Sequence, residues 1–178
     1  MQLQHSMNWL YLPTPMGEFR AAYSQKGLCR LQFPGSQQDS DTEMAAPIIY
    51  EQLETWGRRT RKALLDYFQG KPFAEDLLPP LDFGPATSFR LSVWRALLGI
   101  PFGRTMSYGD LAESLGKSGG ARAVGAACGA NPIPLIIPCH RVVAADGGLG
   151  GFSGGLEWKI RLLQHETDRI PQITKLAS

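Results

Sequence analysis

A cysteine followed by two basic residues is the most reactive combination in this sequence. Cys139, His140 and Arg141 follow an apolar run, residues 131–138, that contains three prolines. A thiol reacts as its thiolate, and neighbouring cations favour that form by lowering the pKa. The pattern therefore predicts a nucleophilic cysteine presented at the end of a strand. Because adjacent side chains of an extended chain point to opposite faces, His140 would reach the thiol through a turn or a bridging water.

A carboxylate at the end of the last predicted helix is a second candidate. The helix, residues 156–166, carries a stripe of apolar side chains at helical spacing, namely Leu156, Ile160 and Leu163. Glu166 continues this stripe toward the buried face. A buried carboxylate needs a partner, and an imidazole is a suitable one. Because two polar residues follow Glu166, a frayed helix end in water is the alternative.

A glycine-rich loop lies between these two candidates. Residues 147–155 contain six glycines in the run GGLGGFSGG. A phosphate-binding P-loop is excluded, since no Gly-Lys-Ser/Thr follows. The loop can instead bring backbone amides close to a ligand, with Ser153 as its only hydroxyl. A flexible linker is the alternative reading.

Two short helices are predicted upstream of the cysteine. Ser107 can cap the first, residues 108–115, with Asp110 in a weak capping box and Gly116 at its end. The second, residues 121–130, is built almost entirely of Ala and Gly. The pair is either a helix-turn-helix or an ordinary helical hairpin. The small side chains would allow close approach to a DNA backbone or to a neighbouring helix.

The elements that must position these groups are of two kinds. Three short apolar or alternating runs, separated by turn residues, predict a three-stranded meander at 7–12, 19–24 and 28–33. A loop at 34–46 precedes a helix at 47–68 that begins with proline and is open to interruption at Gly57. Residues 70–86 carry four prolines and predict an extended linker, with a domain boundary near 85. A helix then follows at 88–98, with Ser88 as its cap and an apolar face formed by Phe89, Val93, Trp94, Leu97 and Leu98.

The amino-acid composition restricts the class of protein to which the chain can belong. The chain has 178 residues, 43% hydrophobic and 19% charged, with a net charge of +2, which indicates a folded globular protein. Basic residues outnumber acidic ones only in the second half, a distribution compatible with a polyanionic partner there. Three cysteines at wide spacing make a disulfide framework improbable and favour a reducing compartment. We expect neither a membrane span nor a secretion signal.

With these residues assembled, the sequence closely resembles the O6-alkylguanine-DNA alkyltransferases. The resemblance is strongest over residues 86–166 and is carried by IPCHRV (137–142), SYG (107–109), ARAVG (121–125), NP (131–132), FSGG (152–155) and HE (165–166). It weakens over residues 7–70, where TPMG (14–17) still fits. It implies an α+β protein with a ribonuclease H-like N-terminal domain (1–85) containing a three-stranded antiparallel sheet and a helix. A mostly helical, winged-helix-like domain with a helix-turn-helix (86–166) and a tail (167–178) would follow.

The resemblance also implies a role for each matching residue. Cys139 would attack the alkyl carbon, Glu166 would orient His140, and His140 would deprotonate the thiol through a water. Tyr108 would give a proton to guanine N3, and Arg122 would replace the nucleotide that is flipped out of the duplex. The residues expected to hold the flipped base are Asn131, Val142, Phe152, Ser153 and Gly154. Those expected to contact DNA are Arg122, Ala121, Ala123, Ser107 and Arg141.

The expected partner is double-stranded DNA containing O6-alkylguanine, bound by a cytoplasmic monomer without a cofactor. Some relatives hold zinc in the first domain, but Cys29 and His5 fall short of four ligands, so no metal is expected. Many relatives have tyrosine where this chain has Phe152. Two other functions remain open: a non-catalytic protein that binds alkylated bases, and a Cys-His hydrolase that uses the glycine loop as an oxyanion hole.

Overall fold

The computed structural model describes residues 8–36 and 48–168. The chain divides into two compact units, the first comprising Met1–Leu91 and Pro132–Ile136, the second comprising Ser92–Asn131 and Ile137–Ser178. The sequence gives no sign of the return of residues 132–136 to the first unit. His5, residues 37–47 and most of the tail lie outside the described residues, so the expectations for them remain predictions. The mixture of a sheet with helices confirms the α+β class.

A three-stranded antiparallel sheet forms the first unit, as the alternating pattern predicts. The strands β1 (Asn8–Thr14), β2 (Gly17–Ser24) and β3 (Gly27–Gln32) lie in the order β1-β2-β3. Gly27 has a φ of +144°, and a Cβ there would lie 1.9 Å from the Pro80 carbonyl oxygen. Glycine is required at this turn because only it combines that conformation with so close an approach.

One long helix covers the sheet. Helix α1 (Tyr50–Phe68) runs without a break through Gly57, the position at which the sequence left an interruption open. A Cβ on Gly57 would lie 2.5 Å from Leu10 Cδ1, so this glycine serves close packing of α1 against β1. The fully buried side chains of Phe19, Tyr23 and Leu64 form part of the core between sheet and helix. Pro47, the predicted first residue of the helix, is not among the described residues.

The proline-rich linker is more ordered than predicted. It contains a 3-10 turn at Glu75–Leu77, and Leu81 forms an isolated parallel bridge with Leu28 of β3. The Leu28 amide donates to the Pro80 carbonyl and the Asp82 amide donates to the Leu28 carbonyl, each at 2.8 Å. Residues 80–82 therefore extend the edge of the sheet, which gives the outer backbone groups of β3 partners.

Helix α2 (Ser88–Leu98) follows the linker. Its cap is Thr87, one residue before the predicted Ser88, because Thr87 Oγ1 accepts from the Arg90 amide at 3.3 Å. Val93, Trp94 and Leu97 are buried, whereas Leu98, assigned to the same face, is exposed. The Trp94 indole donates to the Ala127 carbonyl at 2.8 Å, and this bond joins two residues of the second unit.

The second unit also contains a small parallel sheet and three further helices. Strand β4 (Met106–Ser107) pairs with β5 (Val142–Val143), and the helices are α3 (Tyr108–Ser114), α4 (Ala121–Gly129) and α5 (Leu156–Asp168). Ser107 Oγ accepts from the Asp110 amide at 3.0 Å, as predicted for the cap of α3. Among the described residues, no helix combines the length and apolar character needed to cross a lipid bilayer.

Candidate functional site

The segment before Cys139 is not a strand. Its three prolines lack the amide that a sheet ladder requires, and Leu135 has a positive φ of 75°. Cys139 instead begins a 3-10 turn, Cys139–Arg141, in which the Arg141 amide donates to the Pro138 carbonyl at 3.0 Å. The expectation of a strand end is therefore wrong. The turn is what allows consecutive residues to serve one site.

Cys139 is a buried thiol. Its side chain is 2% exposed, and the Asn131 Nδ2 donates to Sγ at 3.1 Å and to the Ile137 carbonyl at 2.8 Å. Burial raises the thiol pKa to about 11 and outweighs the opposing effects of the Asn131 amide and the Lys159 charge. The prediction of a lowered pKa is wrong for the resting protein. The thiol must lose its proton during the reaction.

His140 and Glu166 form a fully buried pair. The His140 Nε2 lies 2.8 Å from Glu166 Oε1. Because Glu166 is a carboxylate, Nε2 must be the protonated nitrogen of a neutral ring, which leaves the lone pair on Nδ1. Within residues 8–36 and 48–168, no protein group hydrogen-bonds this buried Nδ1. Burial lowers the His140 pKa despite the opposing contact with Glu166, so the ring is a neutral base with a free acceptor.

Glu166 points inward, as predicted, although the stripe that carries it was misassigned. The buried residues of α5 are Lys159, Leu162 and Glu166, whereas Leu156 and Ile160 are exposed. Glu166 also accepts from the Gly103 amide at 2.8 Å. Burial alone would raise its pKa, but hydrogen bonds from His140 and Arg141 lower it to about 2.

Arg141 does not have the surface position expected of a DNA contact. Its side chain is 8% exposed. The guanidinium donates to Glu166 through Nε at 3.0 Å and through an Nη at 2.9 Å, and its other Nη donates to the Ile100 carbonyl at 2.6 Å. The assignment of Arg141 to DNA binding is therefore contradicted, because all of these donors are turned into the protein. It fixes Glu166 instead.

Lys159 is a site residue that the sequence reasoning missed. It is fully buried, and its ammonium donates to the Val142 carbonyl at 2.7 Å and to the Leu149 carbonyl. Lys159 thereby ties the strand after Cys139 to the glycine loop. Lysine is almost never fully buried, so its position in a helix could not be read from hydrophobic periodicity. Its spacing of seven residues from Glu166, two helical turns, was the available signal.

A cavity of about 540 Å³ opens beside these residues in the second unit. Of the predicted residues, Tyr108, Ala121, Arg122, Phe152 and Ser153 line it. Four glycines complete the lining: Gly125, Gly129, Gly150 and Gly151. Its volume suits a small organic ligand. Cys139 is not among the lining residues, but its charge would act on the Tyr108 hydroxyl, whose pKa is raised by burial, by Cys128 and by Cys139.

The glycine loop is shaped by its contact with Tyr108. Gly150 has a φ of +63°, and a Cβ there would lie 2.7 Å from the Tyr108 hydroxyl oxygen. A close approach of backbone to an aromatic side chain favours the ligand-loop reading over the linker. Phe152 also packs edge-on against the His140 ring, with centroids 6.4 Å apart.

The remaining predicted residues lie around this core. Ala123 is exposed on α4, Ser107 caps α3, and Gly154 lies half-buried in the turn that precedes α5. The Val142 carbonyl, expected to accept from a guanine amino group, already accepts from Lys159. A carbonyl oxygen has two lone pairs, so a second donor can still bind. Residues 139–142 and Glu166 are thus brought together, and a separate group lines the cavity.

Comparison with known proteins gives consistent matches. Residues 88–168 match the family described as 6-O-methylguanine DNA methyltransferase, DNA binding domain. The chain is 38% identical to a Methanosarcina barkeri methylated-DNA–protein-cysteine methyltransferase over 89% of this chain and 96% of that protein. A Salmonella typhimurium protein of the same name is 50% identical over 103 residues, which span 58% of this chain and only 59% of that relative.

Solved structures of the same family match this chain over most of its length. The chain superimposes on a Mycobacterium tuberculosis O6-methylguanine methyltransferase with a TM-score of 0.74 at 35% identity, covering 93% of this chain and 95% of that one. A second structure from the same organism, described as in complex with DNA, gives a TM-score of 0.73 at 36% identity, covering 92% and 94% of the two chains.

Proposed function

Because this chain belongs to the methylated-DNA–protein-cysteine methyltransferase family, we propose that it repairs alkylated DNA by accepting the alkyl group on Cys139. The observation that carries the proposal is the arrangement around the thiol. A buried cysteine is followed by a neutral histidine that is bonded to a buried carboxylate, next to a ligand-sized cavity. The proposed substrate is O6-alkylguanine in double-stranded DNA, and O4-alkylthymine if it fits the pocket.

The transfer itself is a displacement at carbon. The thiol proton passes through a water to the free Nδ1 of His140, and the thiolate attacks the alkyl carbon as the bond from that carbon to O6 breaks. A thioether forms on Cys139. The leaving guanine gains a proton at N3 from the Tyr108 hydroxyl, so it departs neutral rather than as an anion. Proton exchange through water then carries the proton of the His140 imidazolium to the Tyr108 phenolate, so both side chains end neutral. Glu166 holds the imidazolium that develops on His140.

The lesion must leave the base stack to reach this site. The exposed Arg122 on α4 lines the cavity, which supports its insertion in place of the flipped nucleotide. Small side chains on the same helix, among them Ala121 and Ala123, would allow close approach to the DNA backbone. The flipped base would enter the cavity and lie against the wall formed by Tyr108 and the glycine loop, where Ser153, another lining residue, would donate to O6.

We further propose that the protein acts as a monomer in a reducing compartment such as the cytoplasm. The groups named above all belong to one chain, and Cys29, Cys128 and Cys139 are free thiols. The thioether is stable, and burial raises the Cys128 pKa to about 12, which makes that thiol a poor nucleophile for regenerating Cys139. One alkyl group should therefore inactivate one molecule.

The test is the time course with excess O6-methylguanine duplex. Repair should stop after one lesion per protein molecule, whereas a hydrolase would continue to turn over and a non-catalytic binder would repair nothing. Arg122→Ala should slow repair of the duplex far more than reaction with free O6-benzylguanine, which needs no flipping. Arg161→Ala is the matched control, since it removes an exposed arginine that does not line the cavity. Equal losses of rate on both substrates would show that Arg122 supports the pocket and does not act by inserting into DNA.

A further inference from the structure

The proposed reaction requires His140 to be neutral before it takes the thiol proton, and its contact with a carboxylate works against this. A buried imidazole bonded to an isolated carboxylate tends to capture a proton and become an imidazolium. Such a ring could no longer act as a base. Burial of the ring opposes this capture, and a positive charge beside Glu166 would oppose it further.

We infer that Arg141 is a positioning residue whose charge balances Glu166 and so keeps His140 in its neutral, proton-accepting form. This inference rests on the proposed function and adds a residue to it. Arg141 contacts Glu166 through two nitrogens, and both donate to the same Oε1 that bonds His140. The carboxylate is thus shared between a permanent cation and the imidazole.

The charges balance in both states of the reaction. Before proton transfer, the positive charge of Arg141 cancels the negative charge of Glu166. Cys139 and His140 are both neutral in this state. After the transfer, the Cys139 thiolate and the His140 imidazolium cancel as well. The buried site therefore carries no uncompensated charge from these four groups in either state, which matters because an isolated buried charge is costly.

The other groups that face His140 do not replace Arg141. From α5, Lys159 also disfavours protonation of His140, but its ammonium is bonded to the carbonyls of Val142 and Leu149 and not to Glu166. The segment before β4 offers the Gly103 amide to Glu166 and the Ile100 carbonyl to Arg141. Phe102 lies under the guanidinium, with the Arg141 Cζ 5.8 Å from its ring centroid. Arg141 is thus held on several sides in the orientation that serves Glu166.

The test compares the full chain with Arg141→Met and Arg141→Lys by NMR titration of His140 and by the pH profile of reaction with free O6-benzylguanine. In the unmodified protein, His140 should be neutral at pH 7. Arg141→Met should raise the His140 pKa and move the acid limb of the profile upward by about one pH unit or more. Arg141→Lys keeps the charge, so its shift should be smaller. Arg161→Met, an exposed arginine on α5, should leave the titration unchanged.

Several outcomes would overturn the inference. One is a folded Arg141→Met whose His140 titrates as in the unmodified protein, or whose rate falls equally at every pH. Another is equal shifts for the Lys and Met variants. If Arg141→Met fails to fold, the unmodified protein still decides, because a His140 that is protonated at pH 7 would contradict it. Absence of alkyl transfer by the unmodified protein would instead refute the proposed function, and the His140 titration would remain interpretable.

Discussion

Cys139 keeps its proton in the resting protein, so its reactivity depends on what removes that proton. Burial raises the thiol pKa to about 11, and the neutral His140 offers a free Nδ1. This arrangement protects a thiol that reacts only once from non-specific alkylation or oxidation, since the thiolate is the reactive form. Reactivity would appear only when proton transfer and displacement are coupled.

Glu166→Gln tests that coupling. A neutral amide stabilises the imidazolium less than a carboxylate does, so His140 becomes a weaker base and the apparent pKa of the thiol rises. The rate with free O6-benzylguanine should fall at neutral pH and recover partly as the pH rises. Glu157→Gln is the matched control, because Glu157 is an exposed carboxylate on the same helix. Superimposable pH profiles for Glu166→Gln and the unmodified protein would show that Glu166 is only structural.

Among the elements, the glycine loop and the start of α3 form one wall of the cavity. Gly150 touches Tyr108, and both residues line the space that the base would occupy. The loop therefore sets the width of the pocket through backbone, without any side chain. Lys159 holds the same loop through the Leu149 carbonyl.

Gly150→Ala should disturb this wall. The added methyl group would lie 2.7 Å from the Tyr108 hydroxyl oxygen, and the left-handed φ of +63° costs about 1–2 kcal/mol for a residue with a Cβ. We expect slower alkyl transfer, with a greater loss for bulky alkyl groups than for methyl. Gly147→Ala is the matched control, since Gly147 has a left-handed φ of +82°, its Cβ would meet nothing within 4 Å, and it does not line the cavity. Equal rates for both variants would mean that the loop moves away from Tyr108 during the reaction.

The sequence predicted elements better than it predicted the geometry of the site. The Ser107 cap, the meander and the inward Glu166 follow from local rules. The buried stripe of α5 was misassigned because Lys159 is buried only through the carbonyls that it meets, and these come from distant residues. For the same reason, Arg141 was wrongly predicted to contact DNA, because its partners Glu166 and Ile100 are remote in sequence.

For the molecule as a whole, a buried group of charges makes the second unit sensitive to acid. The pKa of Glu166 falls from 4.5 to about 2 on folding. The contribution of the Glu166 contacts to stability is fully present above the unfolded-state pKa. It is lost as the pH falls through the folded-state pKa. The pKa of His140 is also lowered in the folded state, so protonation below about pH 6.5 favours unfolding too.

We therefore expect the free energy of unfolding to decline as the pH falls from 6.5 to 2, with the Glu166 share on the order of 3 kcal/mol. Chemical denaturation at a series of pH values, followed by resonances of the second unit, measures this. Glu166→Gln should flatten the curve below about pH 4.5. A curve of unchanged slope would place the acid-sensitive group elsewhere.

The most direct test of the account is to locate the transferred group. The protein is incubated with an O6-methylguanine duplex and digested, and fragmentation of its cysteine-containing peptides in the mass spectrometer locates the added group. We expect one methyl group per protein, on Cys139 alone, and none after Cys139→Ala, which should still bind the duplex. A methyl group on Cys29 or Cys128, or repair by Cys139→Ala, would contradict it.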